Sequence, residues 1–443
     1  MRMDPERTIG NYTRKVITTL KPYDIPEAEA ALYGLYFLSV QQSDQSRWMK
    51  LRRGEDARTP DTAWILHEGI EGLALPAECV VRKELPNEAV WKLTALFNEI
   101  SLKSDDIRMG VSDRLAEAAH RGYSTPLSVV DLVVELAAPS TGTTVYDPAC
   151  RTGSLLVRCA RHVARNATEP DIRLYGAALV GEDYCITRLN LKANRLESDG
   201  IRKIPEPVYL GRNLLVAGGG QPDLVLLDLV EGPGDARSGD GRFLLDELRL
   251  FLPPGSLLAL LMPGKVLAGG SYMDFREWLV ESDTLEAIIR LPNGLFPTIR
   301  VDVDLLLVRP GEPAEAKGRV LFVDASALPV DRVRKALAGE LAGKVVDLYS
   351  AFHQRGEVVG PGAPDLHHRI VLAPEIEWGE SGSDRDYNLD VSRYVMPEPE
   401  PVDLRSESAK LAGLESQRAE LEWEMREQME RVLVKLREEG LLE

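Results

Sequence analysis

Residues 147–153 read Asp147-Pro148-Ala149-Cys150-Arg151-Thr152-Gly153: an acid closes the short β-rich run Thr143–Tyr146, and a glycine precedes the helical pattern Leu155–Arg165. A strand ending in an acid, a glycine-containing turn and a helix start is how a doubly wound sheet presents a nucleotide-like ligand at its strand C-termini. A second acid, Asp228, lies near the end of the apolar run Asp223–Leu229. Arg151, Arg158, Arg161, His162 and Arg165 gather around the first helix, and the last four can share one helical face. Either they contact phosphate or they form a solvated face that offsets nearby acids. Other constellations are weak. His367-His368-Arg369 has no matching third ligand for a metal, and Gly264-Lys265 lacks the spacing of a phosphate-binding loop. Cys79, Cys150, Cys159 and Cys185 are irregularly spaced and fit neither a disulfide framework nor a zinc site. No metal is expected.

The elements that must position these residues follow from periodicity. Leu127–Leu136 is an amphipathic helix started by Ser124-Thr125-Pro126, with a hydroxyl cap and a proline in the first turn. Leu174–Gly176 starts a second strand and Thr187–Asn194 a second helix. Asp223–Leu229, Ser256–Met262, Leu285–Leu291 and Val303–Val308 are nearly unbroken apolar runs, as strands buried on both faces require. Strands separated by helical patterns predict an α/β fold with a mostly parallel sheet. Before it, residues 1–115 read as helical, through segments such as Pro26–Val40 and Trp91–Ser101, with Trp48–Asp61 as a loop and no catalytic constellation. Residues 331–401 are mixed, with a Gly/Pro-rich break at Gly356–Pro364. Residues 402–443 predict one long polar helix. There Leu404, Leu411, Met425 and Val432 share one heptad position and Leu414 and Leu421 the other, with Arg418 and Gln428 interrupting the seam. Such a stripe packs on its parent domain or joins a coiled coil.

The chain has 443 residues, 44% of them hydrophobic and 28% charged, with 53 Lys+Arg against 70 Asp+Glu and a net charge of −17. That excludes a generally basic nucleic-acid coat, because phosphate contact needs positive charge; a local basic groove or a basic partner stays open. No run reaches the roughly 18 apolar residues of a membrane span, and the N-terminus lacks the apolar core of a secretory signal, so the expectation is a cytoplasmic protein without membrane contact.

Tyr123-Ser124-Thr125-Pro126 followed by the 147–153 turn resembles the adenine-N6 DNA methyltransferases, specifically the modification subunit of type I restriction-modification systems. The resemblance continues through Leu174-Tyr175-Gly176, Asn190-Leu191, Met262-Pro263-Gly264, Gly269-Gly270, Leu291-Pro292 to Phe296, Leu321–Ser326, Tyr387-Asn388-Leu389 and Arg393-Tyr394-Val395. It implies a Rossmann-like class I methyltransferase core over residues 116–330, an N-terminal helical domain over 1–115, a mixed extension over 331–401 and a partner-binding helix over 402–443. It also implies S-adenosylmethionine as cofactor, held around Thr125, Pro126, Asp147, Pro148, Ala149, Arg151, Gly153 and Ala178, with Asp228 accepting a hydrogen bond from the amine of a flipped adenine.

Three of these positions depart from the family pattern. Arg151 stands where the cofactor loop has its first glycine, so its side chain projects into the cofactor site or forces the loop aside. Ala178 stands where the family has a ribose-binding acid; Glu182 and Asp183 replace it only if the helix start shifts, and otherwise are first-turn helix acids. Asp228-Leu229-Val230-Glu231 stands for an Asn-Pro-Pro-aromatic motif, so Leu229 and Val230 restore backbone freedom and Glu231 replaces a ring that stacks on the base. Losing one such stack costs roughly 1–3 kcal/mol. The Gly/Asp-rich stretch Gly232–Gly241 reads as a loop.

The leading expectation is therefore a methyltransferase-like scaffold that has lost the reaction and binds S-adenosylmethionine poorly. Its expected partners are a specificity-like or other DNA-processing subunit and DNA reached through that complex, with a homodimer as the alternative assembly. Two other readings stay open. One is an active adenine-N6 methyltransferase with divergent motifs; the other is a repurposed pocket in which Arg151 recognises an anionic ligand at the helix N-terminus.

Overall fold

The computed structural model describes residues 5–53, 85–101, 103–120, 124–178, 180–204, 220–230, 245–296 (except 247, 251 and 269), 301–311, 317–331, 336–358 (except 338), 366–378 and 385–395, and six residues between 418 and 429. The chain divides into two compact units, Met1–Val395 and Met396–Glu443.

The N-terminal region is helical, as its periodicity predicts: α1 (Pro5–Leu20), α2 (Glu27–Ser43), α3 (Gln45–Arg53), α4 (Asn87–Ser101) and α5 (Asp105–Ala119). Helix α2 is apolar on nearly every side. Tyr33, Leu35, Phe37 and Leu38 are all buried, the pattern of a helix enclosed by others. Close packing depends on two glycines. A Cβ at Gly34 would stand 2.8 Å from Val16, and one at Gly110 would collide with Ile9. Helix α3 extends through Arg53 and so occupies the start of the stretch expected to be a loop; the rest, to Asp61, lies outside the described residues.

Helix α6 (Leu127–Ala137) leads into β1 (Thr144–Asp147), α7 (Ser154–Asn166), β2 (Arg173–Ala178), α8 (Gly181–Ala193), β3 (Ile201–Lys203), β4 (Leu224–Asp228) and β5 (Leu257–Pro263). There follow α9 (Lys265–Ala268), α10 (Met273–Glu281), β6 (Leu285–Arg290), β7 (Val303–Val308), β8 (Arg319–Asp324), the strand pair β9 (Val330–Asp331) and β10 (Ala336–Leu337), α11 (Gly339–Arg355), β11 (His367–Leu372), α12 (Ala373–Trp378) and α13 (Val391–Tyr394). Nine strands form one sheet in the order β11-β8-β6-β7-β5-β4-β1-β2-β3. It is mostly parallel. The exceptions are β7, antiparallel between β5 and β6, and the edge strand β11. The apolar runs of β4, β5, β6 and β7 are buried at every position because an apolar layer covers each face.

Strand order reverses between β1 and β4: from β1 the chain goes outward to β2 and β3, then returns to place β4 on the other side. That crevice at the strand C-termini is the topological switch point where doubly wound sheets bind ligands. Helix α8 contributes Ile186, Leu189 and Ala193 to the core of the N-terminal helices, so the helical region packs directly behind the crevice.

Buried charge clusters lock the first unit, and two of them flank the sheet's opposite ends. Behind the crevice, Asp113 on α5 accepts from Arg158 Nη2 and Arg161 Nη1, each at 2.9 Å. This corrects the reading of Arg158 and Arg161 as an exposed phosphate-contact face: they are spent on a buried acid between helices, while His162 faces Glu135 and the exposed Arg165 faces Asp106. At the opposite strand ends, Glu286 on β6 accepts from Tyr349 Oη at 2.5 Å and lies 3.2 Å from both His353 Nδ1 and Arg309 Nε. Burial pushes the Glu286 carboxyl up, but His353, Tyr349 and Arg309 outweigh it and hold the group below its usual range.

Cys150 and Cys159 are free and buried. Cys185 is disulfide-bonded. The six described residues of the second unit, Arg418, Leu421, Trp423, Met425, Gln428 and Met429, are all helical, and Leu421, Trp423, Met425 and Met429 are exposed; the remaining seam positions lie outside the described residues. No helix among the described residues is long and apolar enough to cross a membrane.

Removing one partner of a buried charge cluster leaves the others uncompensated, at a cost of about 3–5 kcal/mol. Asp113→Ala is therefore expected to lower stability by about that amount, read as a fall in the urea midpoint at unchanged slope. The folded-state pKa of Glu286 is depressed, so its contribution is present above the ordinary carboxylate range and lost as pH falls through the folded value. Glu286→Gln is expected to cost about 1–3 kcal/mol at neutral pH, with the gap to the unmodified protein closing below about pH 4 in denaturation series at stepped pH.

Candidate functional site

The site is built from three chain segments that meet at the switch point: the approach to α6, the turn after β1 and the end of β4. The turn after β1 is rigidly held. Asp147, buried at the strand end, accepts the Ala149 N–H at 3.0 Å. The Cys150 N–H donates to Ala177 O on β2 at 2.9 Å and the Gly153 N–H to Cys150 O at 2.6 Å. Arg151 and Gly153 both have left-handed backbone, with φ of 43° and 74°. At Gly153 a Cβ would stand 2.9 Å from Thr187, so that glycine is required. At Arg151 the left-handed backbone costs about 1–2 kcal/mol for a side-chain-bearing residue.

Helix α8 supports this strained turn from behind. Thr187 Oγ1 donates to Arg151 O at 2.6 Å, and Asn190 Nδ2 donates to Thr152 O at 2.9 Å. Asn190 in turn accepts from Ser112 on α5 at 2.7 Å, and Asn194 joins it to Arg161 and so to Asp113. The helical region is thereby connected to the turn through buried hydrogen bonds.

The loop is not forced aside by Arg151. It keeps a glycine-like path, and the buried guanidinium crosses the crevice: Nη2 donates to Asp228 O at 3.3 Å and Nη1 lies 3.9 Å from Asp228 Oδ2. Thr125 Oγ1 donates to the same Oδ2 at 2.5 Å, and Oδ1 accepts the Val230 N–H at 2.9 Å. Helix α6 begins after Pro126 without a side-chain cap. The expected hydroxyl cap is thus corrected, because the Thr125 hydroxyl is drawn to the buried carboxylate instead. Leu229 and Val230 are likewise not a flexible pair. Both are buried, and the Leu229 N–H donates to Leu261 O at 2.9 Å. Tyr123 and residues 231–244, including Glu231 and the Gly232–Gly241 loop, lie outside the described residues.

At the end of β2, Ala177 and Ala178 are buried and offer only backbone groups, to Cys150 and Ile204. Helix α8 starts at Gly181, which places Glu182 and Asp183 in its first turn. Glu182 is exposed, and the buried Asp183 lies 3.1 Å from His120 Nε2. Neither replaces an acid at the strand end. Pro148, Ala149 and Pro126 contribute backbone to the crevice walls. His367 and His368 lie on the edge strand β11, far along the sheet order from β1.

Chemically, the crevice holds a guanidinium and two carboxyls away from water. Burial raises the Asp147 carboxyl to about 7, with Asp228 adding to the rise and the Ala149 N–H and Arg151 opposing it. Burial also pushes the Cys150 thiol well up, which makes it inert. Asp228 Oδ1 accepts from Val230 and Oδ2 from Thr125, and the Arg151 guanidinium lies beside Oδ2 at ion-pair distance. Sequence reasoning had placed Thr125, Arg151 and Asp228 near one ligand; their contact with each other, and the parts of Thr187, Ser112 and Asp113, were not foreseen.

The family model described as N-6 DNA Methylase matches residues 113–206 and 231–402. The match is interrupted over 207–230, the segment that carries β4 and Asp228. The type I restriction enzyme MjaVII methylase subunit of Methanocaldococcus jannaschii is 28% identical over 331 residues, 67% of this chain and 53% of that protein. The chain thus spans about half the length of the curated relatives it matches. Among solved structures, the type I restriction-modification methyltransferase subunit from Streptococcus thermophilus superposes with a TM-score of 0.57 at 15% identity, over 88% of this chain and 99% of that one. A chain from a structure of type I R-M complex assembly and conformational transition gives 0.61 at 19% identity, over 96% and 98%. These likenesses carry the fold, and the family model, spanning more than half of the sequence on both sides of the β1–β4 crevice, carries the descent: the chain belongs to the N-6 DNA methylase family.

Proposed function

We propose that this chain is a non-catalytic member of its family: a modification-subunit-like scaffold that acts through assembly with a specificity-like or other DNA-processing subunit and meets DNA through that complex. One observation carries the reading, namely the Arg151 guanidinium lying across the switch-point crevice against Asp228. The family's cofactor is a sulfonium with a ribose, and the residues present do not fit it. A fixed cation stands at the glycine position of its loop, Ala178 supplies no ribose acceptor, and the alternative acid Asp183 is committed to His120. The Asp228 carboxylate that an adenine amine would approach already accepts from Thr125 and Val230 and faces the Arg151 guanidinium. The like-for-like fold of the relatives supports the assembly role, and the exposed apolar residues of the second unit's helix, Leu421, Trp423, Met425 and Met429, support that helix as the contact.

Calorimetric titration with S-adenosylmethionine tests the first part. The unmodified chain is expected to give no heat in the micromolar range. Arg151→Gly, which also relieves the left-handed strain, is expected to gain at least about tenfold in affinity, equivalent to about 1.4 kcal/mol; adding Ala178→Glu is expected to gain more. Micromolar binding by the unmodified chain, followed by methylated adenine in a DNA assay, overturns the reading in favour of an active enzyme with divergent motifs. For the second part, deleting residues 402–443 is expected to abolish co-purification of the partner subunit while leaving the circular dichroism melt of the first unit unchanged. A truncated chain that still brings down the partner sinks that assignment.

A further inference from the structure

Outside the crevice, among the described residues, lies a cavity whose charge is opposite to that of the chain as a whole. It lies between α1 and the C-terminal end of α4, has a volume of about 380 Å³ and is lined by Asn11, Tyr12, Arg14, Lys15, Glu99 and Lys103 among others. Asn11, Arg14, Lys15 and Thr18 recur at three-to-four spacing and so occupy one face of α1. The floor is the buried ring of Tyr12. Two ammonium groups converge on that ring from different elements, Lys15 Nζ at 5.2 Å and Lys103 Nζ at 5.9 Å from its centroid. The only acid in the lining, Glu99, is already engaged: Tyr12 Oη donates to its Oε1 at 2.6 Å, and Lys15 Nζ lies 3.8 Å from its Oε2. Arg14 and Lys103 have no carboxylate within ion-pair distance among the described residues.

We propose that this groove binds a phosphate ester, either a nucleoside 5′-monophosphate or the terminal phosphate of an oligonucleotide. Three cations and one acid line a cavity in a chain of net charge −17. The field of the whole molecule repels anions, so a local excess of positive charge concentrates them at this groove. The uncompensated charge matches a phosphate dianion. Lysine ammonium groups bind phosphate as point charges, and Arg14 can add a forked contact. The volume is that of a small-ligand site rather than of a groove for a protein helix. With Glu99 holding its phenol, Tyr12 stays a neutral floor beneath the two ammonium groups; burial and Glu99 together push that phenol up to about 12.

The test is calorimetry on the full chain with inorganic phosphate, a nucleoside 5′-monophosphate and a short 5′-phosphorylated oligonucleotide, each at low and high salt. The monophosphate is expected to bind with submillimolar affinity that weakens as salt rises. Lys103→Glu and Arg14→Glu, both at solvent-facing positions, are each expected to weaken it at least about tenfold, the scale of one lost charged hydrogen bond. Glu99→Gln, which removes the groove's acid, is expected to tighten binding, an effect that mere damage to the fold would not produce. An oligonucleotide that binds more tightly than the monophosphate, and still depends on Lys103, identifies a nucleic-acid end as the source; equal affinity identifies a free nucleotide. Absence of binding by all three probes, or binding unchanged in both charge-reversal variants of a folded chain, overturns the proposal.

Discussion

The left-handed backbone at Arg151 and Gly153 is the constraint around which the rest of the first unit is arranged. A turn of that shape brings the strand end of β1 close to whatever lies in the crevice, and it persists only because Thr187 and Asn190 hold its carbonyls from α8. For Gly153 the shape costs nothing. For Arg151 it is a local expense of about 1–2 kcal/mol, offset by the Thr187 hydrogen bond and the ion pair with Asp228. The turn thus keeps a glycine-like backbone path at a position that carries an arginine.

That support reaches well beyond the sheet. Asn190 receives Ser112 from α5, Asn194 receives Arg161, and Arg161 with Arg158 encloses Asp113. The chain of contacts is largely buried, with Asp113, Ser112 and Asn190 fully enclosed, and hydrogen bonds are stronger away from water. The helical region consequently cannot shift against α8 without disturbing the turn. A partner docking on these helices would act on the same network.

How much of this could be read from the sequence depended on whether the signal was periodic. The runs at 223–229, 256–262, 285–291 and 303–308 identify themselves as strands, because burial on both faces leaves no room for polar residues. Their order and the antiparallel sense of β7 were not legible, since strand direction leaves no local trace. Asp147 and Asp228 stand at the ends of the strands their runs identify, and Gly153 precedes the helix that its turn opens. What failed was the assignment of partners. Thr125 was read as a cap because a hydroxyl before a proline usually serves the nearest helix, yet a buried carboxylate 103 residues later competes better for it. Arg158 and Arg161 were read as a surface face because their spacing is that of one. The acid that buries them, Asp113, comes from another helix, and no pattern within α7 could announce it.

The contacts that span the crevice reside in side chains, whereas the turn itself is held by the fold. The two levels make different demands. The fold needs Gly153, Thr187 and Asn190, none of which touches the crossing guanidinium's far end. The closed state needs only Arg151, Asp228 and Thr125, and the ion pair among them is worth most when water is excluded. Arg151 and Asp228, which the sequence places on separate elements 77 residues apart, are brought into contact with each other across the crevice, and Thr125 completes the group from the approach to α6.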